Sequence, residues 1–423
     1  MINRGIKFIK NIWQYAPKIF WSNLNQQLQT VLNIALSIIF IRFAGKEIYG
    51  QYLFLHAILS LFVIISIPGA MTVIFRTIAQ GYDGVYKRAT RFMFFWGLFG
   101  IPLIILLGLY FYLFKTKILG ITLIACALFF PFDTSFKSWA VFLRGRSEFR
   151  KLTINNFIIT FIRMIALTAA ILFSKNIIII MVAYFLIGCC FNIFYYVRTL
   201  DSLKNDDVDL GWKRQSYALT IMDLSAVVFD RTDVALVGFF LPMEQVAIYG
   251  LVMKFVGLFF GVIRNTNDVI LPKLYRSEKI TVGYFYKFFL LFFIVPVISY
   301  PFLKYPVLLL YGRDCWDVVV LSRVYLVVLP FYFLTSITSS FMVKYQLNKE
   351  INLSKIIAIV AVIVLYATLI PLYGLWGGVI SSILFFVIQA IVNLLLLKIS
   401  KSKYTGSVQL NERVAAVEGS CCK

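Results

Sequence analysis

The sequence predicts an all-α polytopic membrane protein with twelve transmembrane helices in two six-helix lobes. Composition, the spacing of apolar runs and an internal repeat lead to this fold class. Hydrophobic residues make up 61% of the 423 residues and charged residues only 14%, whereas soluble domains carry about 25% charged residues. One helical span takes about 20 apolar residues, and the chain has enough apolar residues for about twelve spans. This composition therefore excludes a soluble enzyme and a protein held by a single anchor.

The apolar runs are separated by short charged or glycine-bearing stretches, and each run predicts one span. The predicted spans are 20–41, 51–75, 92–114, 118–143, 152–174, 177–198, 215–241, 246–271, 287–303, 318–342, 354–372 and 376–397. The predicted domains are an interfacial segment over 1–19, an N-lobe over 20–205, a C-lobe over 206–403 and a tail over 404–423 that is expected to be disordered. Basic residues interleaved with isoleucines in the first segment are typical of a helix lying on anionic lipids.

The basic residues of the chain lie mainly in alternate loops. The 41 Lys and Arg residues exceed the 19 Asp and Glu residues, an excess that in a soluble chain would indicate nucleic-acid binding. Here it follows the positive-inside pattern, which predicts that both termini are cytoplasmic and argues against a nucleic-acid partner. The six cysteines form no C-x-x-C pair and His56 is the only histidine, so no metal site and no cofactor are expected. His56 itself is expected to be a packed, hydrogen-bonded side chain.

The two halves of the chain are similar to each other at a spacing of about 200 residues. The tripeptide Ile-Tyr-Gly at 48–50 recurs at 248–250, and the Pro-Phe pair at 131–132 recurs at 330–331. Six spans is an even number, so both halves enter and leave on the same side, and a pseudo-two-fold axis along the membrane normal relates them. Two facing lobes leave a central cleft. Pro131 and Pro330 interrupt helices at matching positions and are the candidate hinges; the alternative is that they are ordinary prolines of membrane helices.

Two predicted spans carry a polar face at equivalent positions of the two halves. In span 7 the face is acidic, with Asp223, Asp230 and Asp233 on one side of a helix beside Arg231. In span 1 it is neutral and consists of Asn23, Gln26, Thr30 and Asn33. Such faces line a water-filled cleft or hold helices together, and the three carboxylates favour the cleft.

The aspartates of span 7 have basic residues at the same depth in span 8. A tight hairpin between the spans places Asp233 level with Lys254 and Asp223 level with Arg264, and pairing would lower the cost of burying each charge. Asp230 has no basic residue at its own depth. It is therefore the candidate for exchanging a proton during transport, the alternative being a structural role.

Basic residues outnumber acidic ones within the spans, which indicates that the cleft binds an anion. The candidate substrate-binding cations are Arg163, Arg264, Lys254, Arg76, Arg42 and Arg231. Arg163 is the strongest candidate, because it lies in mid-span with no acid near it on its own helix. Lys137 is one turn from Asp133 and is expected to pair with it, and Arg323 is expected to reach the outer surface. Arginine holds phosphate through two parallel hydrogen bonds, so a phosphate-bearing headgroup suits this set.

Three turn motifs have the form found in one group of transporters. They are IRFAGKEIYGQY at 41–52, LYGR at 310–313 and IPLYGLWGG at 370–378. On these motifs the chain resembles the Wzx-type O-antigen and polysaccharide flippases of the multidrug/oligosaccharidyl-lipid/polysaccharide (MOP) exporter superfamily, over nearly all of residues 1–400. The motifs are structural turns, so they indicate the superfamily better than the substrate.

The resemblance implies a V-shaped fold with a central cavity and a location in the bacterial inner membrane. It implies that alternating access moves a lipid-linked oligosaccharide, an O-antigen or capsule repeat unit on undecaprenyl diphosphate, from the cytoplasmic to the periplasmic leaflet. Other polysaccharide and lipopolysaccharide assembly proteins are candidate partners, and ion coupling stays open. One alternative is a MATE-like drug or toxin antiporter, in which acids should outnumber bases in the N-lobe. Another is a membrane polysaccharide polymerase or glycosyltransferase, which needs a large loop with catalytic acids or histidines.

Overall fold

The computed structural model describes the backbone of residues 2–276, 293–294, 296–345 and 347–421. Side chains are described within these ranges except at 2–16, 19, 223–230, 262, 265–276, 344, 348 and 400–421. The described residues form helices and turns and contain no β-strand. They divide into two compact units, the first holding Met1–Gly238 with Pro242–Ala247 and the second Phe239–Leu241 with Ile248–Lys423.

The helices follow the apolar runs of the sequence. In the first unit they are α1 Ile2–Ile39, α2 Lys46–Phe62, α3 Gly69–Gln80, α4 Gly84–Leu98, α5 Gly100–Phe114, α6 Lys117–Ala127, α7 Phe130–Phe136, α8 Ser138–Gly145, α9 Phe149–Phe173, α10 Ile177–Leu200 and α11 Trp212–Phe240, with a π-helical turn at Phe40–Ala44. They continue with α12 Met243–Arg276, α13 Lys304–Tyr311, α14 Trp316–Tyr325, α15 Val328–Lys344 and α16 Asn348–Cys421. Gly374 interrupts α16 at φ 59°, a left-handed value that glycine adopts without strain.

Many of these helices are long and apolar enough to cross a bilayer. Within the described part of the chain there are seven such stretches, or nine if each of two bent pairs is one span. The stretch Lys349–Ile399 alone has 51 residues and contains the last two predicted spans. Residues 287–292 and 295 of predicted span 9 lie outside the described residues. The all-helical membrane class is therefore confirmed, whereas the number of twelve spans stays a prediction.

The predicted span over 51–75 is wrong in its extent. Helix α2 ends at Phe62, a 3-10 turn covers Val63–Ser66, and Ile67 has φ 57° before α3 begins at Gly69. Pro68 explains the break, because a proline ring disfavours helical backbone at the residue before it. The crossing stretch is Lys46–Ser66.

Both candidate hinge prolines lie beside a bend. The stretches Lys117–Ala127 and Phe130–Gly145 meet at 51°, and Arg313–Tyr325 and Val328–Val343 meet at 49°. Pro131 is in the first turn of α7, and Pro330 is two residues after the start of α15. Proline lacks the amide hydrogen that would continue the helix across the break. That these bends move during transport stays a prediction.

The connection between α10 and α11 is bound to the first unit. Asp83, which is 1% exposed, accepts hydrogen bonds from Arg146 and from the amide of Lys204 at 2.8 Å. The amide of Gly69 donates to Thr220 Oγ1 at 3.0 Å. Buried aromatic and apolar side chains continue this packing, among them Tyr86, Met93, Trp139, Phe142 and Trp212. Helix α11 up to Gly238 therefore belongs to the first unit by its contacts, although the predicted lobe boundary lies at 205.

Candidate functional site: a buried basic cluster in the first unit

Three helices of the first unit bring charged and polar side chains together. The bend before α7 places Asp133 in the first turn of that helix, and α9 carries Arg163. Helix α10 contributes Tyr184 and Asn192. Charged side chains within membrane spans face partners or water rather than lipid, and these side chains face one another.

Asp133 is the centre of the cluster. Its Oδ2 atom lies 3.1 Å from Lys137 Nζ, and its Oδ1 atom accepts a hydrogen bond of 3.2 Å from Asn192 Nδ2. Arg163 Nη2 lies 4.0 Å from Oδ1, which is too long for a hydrogen bond. The predicted Asp133–Lys137 pair is confirmed. Arg163 interacts with the carboxylate through space and keeps its donors.

The guanidinium of Arg163 is held by packing as well as by charge. Its Cζ atom lies 4.2 Å from the ring centroid of Tyr184, a cation–π contact. Gly188 leaves the space for it, since a Cβ at that position would overlap the guanidinium. The Nε atom is buried and has no hydrogen-bond partner among the described residues. The planar group is thus oriented by the tyrosine ring and the carboxylate without a described hydrogen bond from Nε.

Tyr184 connects this cluster to His56 on α2. The Tyr184 hydroxyl is 3.2 Å from His56 Nε2, and Ser60 Oγ is 3.4 Å from His56 Nδ1. The Tyr52 ring meets Tyr184 edge to face at 5.9 Å. His56 is therefore the packed, hydrogen-bonded side chain that was expected, and it holds the aromatic wall beside Arg163.

The cluster has more positive than negative charge. Lys137 and Arg163 face one carboxylate, and the Lys137 side chain is 52% exposed while those of Arg163 and Asp133 are 13% and 12% exposed. Burying a charge without compensation is costly, so an anion beside the two cations would be stabilised. Among the described side chains no group of three His, Cys, Asp or Glu residues is close enough to hold a metal ion.

The polar residues of α1 divide between two faces. One face is bound to α9: Thr153 Oγ1 donates to the Trp21 carbonyl at 2.9 Å, Asn156 Nδ2 to Asn25 at 3.2 Å, and Thr160 to Gln29 at 2.7 Å. The other face carries the four predicted residues. Asn23, Gln26 and Asn33 are exposed and Thr30 is half-buried, with Thr30 Oγ1 donating to the Gln26 carbonyl at 2.9 Å. Span 1 thus joins helices with one face and presents polar groups with the other.

The other predicted cations of the first unit lie apart from the Asp133 carboxylate. Arg76 on α3 is bonded to Asp209 at 2.9 Å, in the connection before α11. Arg42 is exposed in the π-helical turn, and Arg231 is exposed on α11. The charge of Arg231 acts on His56, so Arg231 adds positive potential at the aromatic side of the cluster.

The predicted acidic face of α11 is only partly described. The side chains of Asp223 and Asp230 lie outside the described residues, and Asp233 Oδ1 accepts a 2.7 Å hydrogen bond from the Val234 amide. In the second unit, Lys254 is half-buried and Arg264 is exposed on α12. The pairing of Asp233 with Lys254 and of Asp223 with Arg264 stays a prediction, as does proton exchange at Asp230.

Two buried asparagines were not singled out from the sequence. Asn192 accepts a hydrogen bond from Trp139 Nε1 at 3.1 Å while it donates to the Asp133 carboxylate. In the second unit Asn393 on α16 donates to Thr338 Oγ1 and Ser339 Oγ, both at 3.2 Å. Each asparagine thus binds the bent helix of its own unit. An amide within an apolar run is the signal that could have identified both.

No protein-family model matches this sequence, and no curated protein matches it either. Its fold is similar to that of a lipid II flippase MurJ in an inward closed conformation, with a TM-score of 0.65 at 16% identity over 90% of this chain and 87% of that one. It is also similar to an inward-facing multidrug resistance MATE family transporter of the MOP superfamily, with a TM-score of 0.60 at 13% identity over 91% and 99% of the chains. An outward-facing MATE transporter gives 0.53 at 13% identity. The chain has the fold of the MOP-superfamily transporters.

Proposed function

We propose that this protein is a flippase that moves a polyprenyl-diphosphate-linked oligosaccharide from the cytoplasmic to the periplasmic leaflet of a bacterial inner membrane by alternating access. The observation that carries the proposal is the basic cluster of the first unit. There an oriented guanidinium at Arg163 and a half-exposed ammonium at Lys137 share one carboxylate. The O-antigen or capsule class of substrate rests on the resemblance of the turn motifs to Wzx-type flippases.

A diphosphate suits this cluster better than an organic cation does. Guanidinium groups bind phosphate oxygens through parallel, charge-assisted hydrogen bonds, and Arg163 retains donors for them. An organic cation at the same place would meet two positive side chains. Because Arg163 and Asp133 are only 13% and 12% exposed, both the attraction and the repulsion at the guanidinium are stronger than at a surface.

The second candidate is a drug or toxin antiporter of the MATE type. It is favoured by the fold, which is nearly as similar to MATE transporters as to the lipid II flippase. Acids should then dominate the interior of the first unit, whereas Asp133 is outnumbered by Lys137 and Arg163. An enzyme that polymerises or transfers sugars is the least supported function, because the similar folds are transporters.

Exposed basic side chains support the proposed orientation and an association with anionic lipids. Lys87, Arg88 and Arg91 are exposed at the start of α4, and Arg150 and Lys151 at the start of α9. Such residues near helix ends attract the anionic cytoplasmic leaflet. We infer that these ends, and both termini, are cytoplasmic. Polysaccharide-assembly proteins are proposed as further partners on the basis of the resemblance alone.

The proposal is tested in cells that lack this protein. Undecaprenyl-diphosphate oligosaccharide should accumulate on the cytoplasmic leaflet, and wild-type protein should clear it, whereas Arg163→Ala should not. The matched control is Arg323→Ala: Arg323 also stacks on a tyrosine ring, at 4.5 Å from Tyr300, and donates to the Tyr300 carbonyl at 3.0 Å. An unchanged lipid pool in the deletion strain would contradict the proposed function.

A further inference from the structure

The polar face of α1, defined by Asn23, Gln26, Thr30 and Asn33, is not used by the diphosphate site. Three of its members are exposed although they belong to the apolar stretch Phe20–Ala44, which is long enough to cross a bilayer. Amide groups exposed to lipid would cost free energy. Their natural surroundings are therefore water or a hydrogen-bonding ligand.

The position of this face relative to Arg163 follows from the packing of α1 on α9. The hydrogen-bonded pairs Asn25–Asn156 and Gln29–Thr160 advance in the same direction along both helices, so α1 and α9 are parallel. Each residue turns an α-helix by about 100°. The polar face of α1 is therefore rotated roughly 110° from the side of α1 that contacts α9, and Arg163 is rotated roughly 50° from the side of α9 that contacts α1. Both rotations lead to the same side of the helix pair.

The aromatic contacts agree with this placement. Phe40, which follows α1, is 4.8 Å from the ring of Tyr52. Tyr52 meets Tyr184, and Arg163 stacks on Tyr184. A continuous chain of rings thus connects the end of α1 to the guanidinium on that side of the helix pair.

The axial positions also match. Gln29 is level with Thr160, and each residue adds about 1.5 Å along a helix. Asn33 is then about level with Arg163, and Asn23 lies about 15 Å away towards the start of α1. The polar face is therefore a track of neutral hydrogen-bonding groups that begins beside the guanidinium and leads away from it.

We propose that the polar face of α1 binds the sugar portion of the substrate, and that this portion is an uncharged saccharide; the proposal rests on the proposed function. The residues from Phe20 to Ile39 include no acidic or basic side chain. Amides both donate and accept hydrogen bonds, as sugar hydroxyl and acetamido groups do. A uronic or sialic acid on this track would lose hydration and gain no cation from α1, whereas a neutral sugar exchanges water for amide partners.

The test compares two ligands and three proteins in lipid nanodiscs. The probes are undecaprenyl diphosphate carrying a neutral trisaccharide and undecaprenyl diphosphate without sugar, with binding measured by calorimetry. Wild-type protein should bind the trisaccharide lipid at least about tenfold more tightly, because several neutral hydrogen bonds contribute a few-fold each. The variant combining Asn23→Ala and Gln26→Ala should reduce this ratio by about threefold to tenfold and leave the bare lipid's affinity unchanged, which also shows that the variant is folded.

Gln27→Ala is the matched control. Gln27 is an exposed amide on the same helix. At about 100° of rotation per residue it lies roughly 90° from the centre of the polar face, on the opposite side of the helix pair from Arg163, so its removal should leave the ratio unchanged. Equal binding of both lipids by wild-type protein would overturn the sugar site and leave the flippase proposal standing, whereas binding of neither lipid would contradict both. Tighter binding of a uronic-acid trisaccharide than of the neutral one would also overturn the inference.

Discussion

Gly188→Ala tests the geometry of the basic cluster without removing any charge. A Cβ at position 188 would overlap the guanidinium of Arg163, which has to swing off the Tyr184 ring to make room. Alanine gains about 1 kcal/mol over glycine inside a helix, and the steric strain costs about 1–3 kcal/mol. Since the displaced atoms are the flexible end of a side chain, we expect the free energy of unfolding to change by less than about 2 kcal/mol.

The expected effect on ligand binding is larger than the effect on stability. Moving the guanidinium removes one charge-assisted hydrogen bond of about 1.5–3 kcal/mol, so the affinity for undecaprenyl diphosphate should fall about 10- to 100-fold. The assay is calorimetry in nanodiscs, with thermal unfolding followed on the same samples. Gly257→Ala is the control, because a Cβ there meets no described atom within 4 Å. The reasoning is refuted if Gly188→Ala binds the lipid like wild type while Arg163→Ala does not.

Three further changes separate structural from functional contacts. Asp133→Asn should lower the free energy of unfolding by about 1–3 kcal/mol, which is less than for a fully buried pair because its lysine partner is half-exposed. It should also tighten binding of the diphosphate lipid. Unchanged melting and affinity would contradict this. Asn393→Leu should destabilise the second unit by about 2–4 kcal/mol by leaving hydroxyl partners unsatisfied, measured by thermal melting. Asp83→Asn should speed tryptic cleavage after Lys204 several-fold by releasing the connection before α11, whereas Asp201→Asn, an exposed neighbour, should not; equal cleavage would argue against this role of Asp83.

The spacing of charged residues along the chain, and the rarity of charges within membrane spans, predict part of this site. The Lys137–Asp133 pair follows from an i,i+4 spacing within one segment, and Arg163 is conspicuous because charges within membrane spans are costly. The acid near Arg163 could not be predicted, since Asp133 comes from a helix 30 residues away in sequence and the approach depends on the bend before α7. Tyr184 gives no signal either, because a tyrosine in an apolar helix is common.

Periodicity also explains why the polar run of α1 is ambiguous in sequence. A cleft lining and an interhelical contact both require polar residues at helical spacing, and α1 contains both sets interleaved. Asn25 and Gln29 contact α9, whereas Asn23 and Gln26 are exposed. Only the partner helix distinguishes the two faces. The break at Pro68, by contrast, has a sequence signal that the predicted span 51–75 did not use, because a proline within a predicted span ends or bends it.

Translocation by the purified protein tests the central claim most directly. In proteoliposomes with a labelled undecaprenyl-diphosphate oligosaccharide in one leaflet and an organic cation in the lumen, wild-type protein should move the lipid across and leave the cation in place. Arg163→Ala should slow lipid movement at least about tenfold, and Arg323→Ala should not. Export of the cation without movement of the lipid, or lipid movement by Arg163→Ala at the wild-type rate, would contradict the account.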